Sequence, residues 1–217
     1  MESEIELRRK IVRAFQYLES LGVNFGYSGN ISVRTGNDRI FISPSGRRKS
    51  DLAPEDLLVV DLSGRAIEGF GRPSVELPTH IAIYKARRDV NAIVHVHPVY
   101  ASVFAVLREG IPPVLEETVI YVGGEVQVAD YAPTGSPQLG ENVVKALGDR
   151  SAVILANHGI LTVGRTLDEA VDTAVYVERA AKVYLLARLA GKPHPLPDEA
   201  YRLEREIYLT RVKPNAV

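Results

Sequence analysis

The sequence predicts a single α/β domain, on three observations. Apolar residues recur at helical spacing in several segments, and between these lie short, nearly continuous Val/Ile runs of strand length. Gly, Pro, Ser and Asn turn signals bound those runs. At 217 residues the chain can bury a substantial core as one domain, or as one domain with a helical extension, and needs no second.

The elements follow in order. Ile5, Leu7, Ile11, Ala14, Phe15 and Leu18 lie among charges at helical spacing, so an amphipathic helix opens the chain and stops at Gly22. Tyr27, Ser28, Gly29 and Asn30 then turn into a short strand from Ile31 to Arg34. The alternating Arg39 to Ser43 is its neighbour and ends in Pro44, Ser45 and Gly46. Leu57 to Asp61 is a further strand, turned by Leu62, Ser63 and Gly64. After Pro73 and Ser74, the pattern Ile81, Ile83, Tyr84 suits a helix ending near Arg88. Pro78 is acceptable in its first turn, which puts Glu76 at or just before the helix N-terminus.

Ala92 to His97 is a buried strand, Pro98 starts a helix through Leu107, and Ile111, Pro112 and Pro113 break it. Val119 to Val122 and Val126 to Asp130 flank Gly123 and Gly124 as sheet edges, and a short helix runs from about Leu139 to Leu147. Ala152 to Ala156 and Ile160 to Val163 are strands joined by the turn Asn157, His158, Gly159. Thr166 with Glu169 forms a capping box that opens a long helix closing at Gly191 and Pro193. A helical tail occupies about 198–217, its helix running from Asp198 to about Leu209.

Composition removes several function classes. Lys+Arg 26 against Asp+Glu 27 leaves a formal charge of -1, which argues against a nucleic-acid surface built on bulk positive charge. No cysteine is present, so a disulfide framework and a thiolate metal site are both excluded, and metal ligands must be His, Asp or Glu. The chain starts with Glu2 and Glu4 in place of a basic region and an apolar run, and no uncharged stretch reaches membrane-spanning length. The expectation is a soluble cytoplasmic protein with no membrane and no nucleic-acid partner.

Chemistry concentrates at the end of the Ala92 strand. Residues i and i+2 of a strand share a face, so His95 and His97 leave together while Val94 and Val96 point away. A lone imidazole in such a strand reads as a hydrogen-bonded core residue, but two on one side each need a buried partner, and a shared divalent metal answers both. His158, on a strand-connecting turn, completes three ligands and leaves a position open. As a single residue it reads equally as a turn histidine. His80 and His194 are assigned to structure.

GNISVR from Gly29 to Arg34, ISPSG from Ile42 to Gly46, PSVELPTH from Pro73 to His80, AIVHVHP from Ala92 to Pro98 and ANHGILTVG from Ala156 to Gly164 stand in one order across most of the chain. Together they resemble the class II aldolase/adducin family, nearest its L-fuculose-1-phosphate aldolase group. The resemblance implies a three-layer α/β domain over 1–217 with a central, mainly antiparallel sheet between helices. It further implies a zinc site, one Zn2+ per subunit, held by His95, His97 and His158. Glu76 would be a fourth ligand at rest and the acid/base in turnover. A phosphate cradle would comprise Gly29, Asn30, Ser45, Gly46, Ser74 and Val75, whose backbone N–H groups, hydroxyls and amide suit a dianion. The assembly would be a homotetramer with sites between neighbours, and the partner a small sugar phosphate.

On that reading the enzyme cleaves a ketose 1-phosphate, such as L-fuculose 1-phosphate, to dihydroxyacetone phosphate and an aldehyde such as L-lactaldehyde. Two departures bear on substrate. Val75 stands where the fuculose enzymes often carry a second serine, and Leu115, Glu116 and Glu117 stand where they carry a tyrosine. The second departure raises a methylthioribulose-1-phosphate dehydratase, which uses a Glu in that region, as the rival. A pentulose-phosphate 4-epimerase is the next alternative, and a non-catalytic adducin-like module is the alternative of another class. Arg47, Arg48 and Lys49 read as local attraction for phosphate or as a solvated loop.

Overall fold

The structure, a computed structural model, describes residues 3–212. Residues 1–2 of the expected domain and 213–217 of its tail lie outside the described residues. Seven α-helices accompany one eight-stranded sheet among the described residues: α1 (Glu4–Ser20), β1 (Asn30–Arg34), β2 (Ile40–Ile42), β3 (Leu58–Val60), β4 (Ala66–Glu68), α2 (Leu77–Ala86), β5 (Ala92–Val96), α3 (Val99–Leu107), α4 (Glu116–Val122), β6 (Gln127–Ala129), α5 (Pro137–Leu147), β7 (Ala152–Leu155), β8 (Gly159–Gly164), α6 (Leu167–Ala190) and α7 (Asp198–Val212). None of these helices is long and apolar enough to cross a membrane.

Strand order is β4-β3-β2-β1-β5-β8-β7-β6, and every pair is antiparallel except β6 with β7. Alternation divides the core between the two faces. Ile31, Val33, Val94, Val96 and Ile154 pack with α1, α3 and α6. Ile40, Ile42, Ile93, Leu155 and Leu161 pack with α2 and α5. The second face is the one on which the strand-end histidines lie.

Three sequence expectations need correction. Val119 to Val122, expected as a sheet edge, belongs to helix α4, whose first turn carries Glu116 and Glu117 and whose end is capped by Gly123 at φ 92. A short apolar run has no period of its own, and here acidic residues at the N-terminus and a left-handed cap decide for helix. β4, absent from the expectation, is an exposed edge strand with no core face to leave a pattern. The Thr166 cap is present but its box is shifted: Thr166 Oγ1 accepts from Glu169 N–H at 3.2 Å, while Glu169 Oε2 accepts from Arg165 N–H at 2.8 Å.

Two fixtures hold the helices on the sheet. Buried Arg34, at the end of β1, donates to the carbonyls of Tyr84 at 2.9 Å, Arg88 at 3.0 Å and Val90 at 2.5 Å, clamping the C-terminal end of α2. Tyr208 docks α7: its hydroxyl donates to Asp149 O at 2.8 Å and lies 2.9 Å from Ser151 Oγ.

The Arg34 clamp yields a stability prediction. Arg34→Met strands buried carbonyls, at a cost on the order of 3 kcal/mol. Arg34→Lys should recover only part of it, because an ammonium lacks the guanidinium fork. Urea midpoints equal to the parent's in both variants would contradict the clamp.

Candidate metal and phosphate site

Strand register builds the site. Asn30 pairs with His95 between β1 and β5, and His95 pairs with Leu161 between β5 and β8. His97 follows β5 directly. His158 sits on the β7–β8 turn, where Asn157 adopts φ 57 and its side chain accepts from Arg108 Nε at 3.1 Å. The turn closes tightly on β5: a Cβ at Gly159 would stand 2.6 Å from Val96 O and 2.8 Å from His97 Cδ2. Gly29, at φ +77, is equally constrained, since a Cβ there would meet His95 O at 2.6 Å. Glycine at these two positions is a packing requirement.

The three imidazoles face one point. Their ring centroids are mutually 4.7 to 4.8 Å apart, and one ligand atom from each lies within 4.8 Å of the others. His95 and His97 approach through Nε2 at 2.9 Å. Glu76 caps α2 and brings Oε2 to 3.1 Å from His95 Nε2 and Oε1 to 3.6 Å from His158 Nε2.

This donor set fits a divalent cation. His95 Nδ1–H donates to Ile160 O at 2.8 Å, which assigns the neutral tautomer and leaves the Nε2 lone pair directed at the cluster. Charge distribution agrees. Burial pushes the Glu76 carboxyl up, but His95, His158 and the Asn30 amide outweigh it and hold the group well below the usual carboxylate range. Burial disfavours charge on His95, and Glu76 beside it overcomes that, so its pKa is raised. Burial, then His95 and His158, push His97 down to about 3, and burial with His95 lowers His158. Burial thus favours the unprotonated form of His97 and His158, the form in which an imidazole binds a metal.

Of the expected cradle residues, Asn30 and Ser74 reach the cluster through Glu76. Asn30 Nδ2 donates to Glu76 Oε2 at 2.6 Å, and its buried Oδ1 has no protein partner. Ser74 Oγ accepts from Glu76 N–H at 3.3 Å, and Ser74 N–H donates to Ser43 O at 3.1 Å. Pro44 bridges to Pro73 and Ser45 N–H donates to Arg72 O at 2.9 Å, which joins the start of the Ser45–Gly46 turn to the segment leading into Ser74. Gly46 is open, at φ +68 with nothing near a Cβ position, and Val75 is exposed.

Other residues find structural places. His80 is fully buried, its Nδ1 2.7 Å from Ser32 Oγ, which also lies 2.8 Å from Tyr84 Oη. His194 is exposed on the loop before α7. Glu117 pairs with Arg179 of α6 at 2.9 Å, and α4 sits with α6 on the sheet face away from the histidines. Lys49, read together with Arg47 and Arg48 as local attraction for phosphate or as a solvated loop, turns inward from the basic run and is buried. A patterned reading has no signal for it, because the two arginines beside it are solvated.

Comparison with known proteins gives the geometry its context. Residues 9–185 match the family model described as Class II Aldolase and Adducin N-terminal domain. A Rhodospirillum rubrum protein named 5-methylthioribulose-1-phosphate/5-deoxyribulose-1-phosphate aldolase is 36% identical over 202 residues, covering 93% of this chain and 90% of its own. The Escherichia coli K12 L-fuculose phosphate aldolase is 33% identical, covering 94% of this chain and 95% of its own. A solved L-fuculose 1-phosphate aldolase superposes with a TM-score of 0.89 at 36% identity, covering 95% of this chain and 96% of that one. The family is metal-dependent and its aldolases act on small sugar phosphates. With more than half of its length matched and its relatives aligned nearly end to end, this chain belongs to the class II aldolase family and is a lyase.

Proposed function

We propose that the protein is a zinc-dependent aldolase that reversibly cleaves a ketose 1-phosphate to dihydroxyacetone phosphate and a short aldehyde. One observation carries the reading: the Glu76 carboxylate converges with the imidazoles of His95, His97 and His158 directly beside the Ser/Gly/Asn cradle. A cation held by those three histidines, with Glu76 as fourth ligand at rest, supplies Lewis acidity to the ketose oxygens on which negative charge develops.

The protein's own groups do the rest. Asn30, Ser45, Gly46 and Ser74 with backbone N–H groups at Gly29 and Val75 bind the phosphate and fix the dihydroxyacetone half. Cleavage of the C3–C4 bond leaves its electron pair on C3 and turns the C4 hydroxyl into the aldehyde carbonyl, its proton passing to solvent, from which the proton for C3 is drawn through Glu76. Glu76 delivers the proton that C3 takes up, and in the condensation direction removes it. Asn30, donating to Glu76 Oε2, orients that carboxylate.

The aldehyde half admits two readings. L-fuculose 1-phosphate would give L-lactaldehyde, in line with the enterobacterial relative. The Rhodospirillum rubrum and Bacillus thuringiensis relatives, at 36% and 35% identity, are named for 5-deoxypentulose 1-phosphate chemistry, which favours acetaldehyde or its methylthio analogue. The dehydratase rival assigns proton traffic to Glu116 or Glu117, and the Glu117 ion pair with Arg179 counts against it in the single chain. Three layers about the sheet, a cytoplasmic location and a homotetramer with sites between neighbours complete the reading. Exposed Tyr27, Phe70, Val75 and Tyr131 are the apolar surface such an assembly would cover, and sedimentation reads its mass directly.

Zinc-loaded protein given dihydroxyacetone phosphate and a panel of lactaldehyde, acetaldehyde and methylthioacetaldehyde should form a ketose 1-phosphate with at least one. A dehydrated ketone from a pentulose phosphate, with no triose phosphate, would instead support the dehydratase. Chelation should abolish activity and zinc restore it, and His95→Ala and His97→Ala should each lose the metal. If those variants hold zinc as the parent does, the ligand assignment is wrong.

Glu76→Gln is nearly isosteric and leaves three imidazoles to hold the ion. It should keep zinc and fold while slowing exchange of the hydroxymethyl proton of dihydroxyacetone phosphate in deuterated water by about 10²–10⁴-fold. Parental exchange with zinc bound would remove Glu76 from the role.

A further inference from the structure

The basic run at 47–49 divides between surface and interior. Arg47 pairs with Asp56 at 3.1 Å and Arg48 with Glu19 at 2.9 Å, and about half of each arginine side chain is exposed. Lys49 goes the other way, with 3% of its surface exposed. Its backbone N–H donates to Gly26 O at 2.8 Å, and its Nζ donates to Pro44 O at 2.7 Å.

That carbonyl lies within the cradle. Pro44 joins Ser43 to Ser45 and bridges to Pro73; Ser43 O accepts from Ser74 N–H at 3.1 Å, and Ser43 Oγ accepts from Ile31 N–H at 3.3 Å. Segments 30–31 and 73–74 therefore both bond to the 43–44 segment whose carbonyl the ammonium engages. An ammonium has three donors. Pro44 O takes one, and among the described residues no carboxylate forms an ion pair with the group.

A buried cation without a carboxylate partner is costly, by several kcal/mol in general. It persists where a ligand supplies the missing anion. The cradle groups assigned to phosphate are all neutral, whereas the nearest acid, Glu76, repels a dianion. The cation assigned to the three histidines would offset Glu76, which leaves the ester dianion without a charged partner among the cradle groups.

We propose that Lys49 is the charged member of the phosphate cradle, binding the ester dianion from beneath the Ser45–Gly46 turn; this rests on the sugar-phosphate reading above. Burial lowers the Lys49 pKa to about 8 and the Glu76 carboxylate opposes that fall, so the ammonium remains mostly protonated at neutral pH. The bland role for the same contact is a pin that holds Pro44, and the two roles predict different losses. A pin serves phosphorylated and unphosphorylated substrates alike, whereas a phosphate ligand serves only the first.

The test measures binding of inorganic phosphate to the zinc-loaded protein by calorimetry, and KM and kcat with dihydroxyacetone phosphate and with unphosphorylated dihydroxyacetone. Lys49→Gln should weaken phosphate binding and raise KM for dihydroxyacetone phosphate by about ten- to a hundredfold, the scale of a lost charge-assisted hydrogen bond. Turnover of dihydroxyacetone should stay near the parent's, and Lys49→Arg should regain part of the phosphate affinity. Parental phosphate affinity in Lys49→Gln overturns the assignment, as does an equal loss on both substrates. In case the Gln variant does not fold, carbon-labelled lysine in the parent decides: the Lys49 side-chain resonance, assigned by its disappearance in Lys49→Arg, should move on phosphate addition. A resonance that stays put overturns the proposal. A parent that binds no phosphate at all overturns the sugar-phosphate reading itself, a result distinct from a parent that binds and a variant that matches it.

Discussion

The registers that lock β5 between β1 and β8 are the constraint on which the site depends. Asn30 opposite His95, and His95 opposite Leu161, set which side chains share the catalytic end of the sheet. A slip of one residue would turn His95 onto the face where Val94 and Val96 now pack, turn those valines toward the site, and break the bond to Ile160 O. The absence of a side chain at Gly29 and Gly159 permits this approach, because any Cβ there would collide with carbonyls of His95 and Val96. Gly29, which looks like a phosphate donor in the sequence, thus has a prior duty to the sheet. The two duties are compatible, since a residue with no side chain also leaves its backbone open to a ligand.

The cluster is costly to bury. Three imidazoles and a carboxylate face one another, with His95 Nε2 at 2.9 Å from His97 Nε2 and 3.1 Å from Glu76 Oε2. Stability has to come from elsewhere, and it comes from groups that also aim the site. Arg34 clamps the far end of α2, so the helix presents Glu76 at its near end at a fixed height above β1. Ser32, Tyr84 and His80 form a buried polar chain beneath the same helix, which explains why a family motif carries a histidine that is no ligand of the cluster.

Most of the site was legible because its residues sit where local rules are strict. A period of two puts His95 and His97 on one face whatever the rest of the fold does, and Pro78 puts Glu76 at a helix start. His158 was legible only through its turn and the motif order, since its proximity to the pair is made by β7 and β8 pairing. What escaped depends on tertiary context. The run at 119–122 is apolar without a period, and β4 has no buried face. Lys49 cannot be told from Arg47 and Arg48 by type or spacing; the backbone of 26 and the carbonyl of Pro44 decide its direction. The substrate's aldehyde half left the least trace, because nothing in the motifs touches it.

The position of Glu76 accounts for how one carboxylate could serve both as ligand and as base. In the resting arrangement His95, His158 and Asn30 hold its pKa well below the ordinary range, which makes it a poor proton acceptor. Burial acts in the opposite sense and is the largest single influence on the group. If the carboxylate swings from the imidazoles toward the substrate carbon, it loses the partners that favour its charge and keeps the burial that opposes it. Its basicity must then rise without any change in the surrounding protein. A carboxylate in an open, solvated site would be weak in both positions. The proposed proton transfer therefore depends on the same desolvation that makes the cluster expensive to fold, and the sheet that supplies this burial contributes to the chemistry as directly as the ligands do.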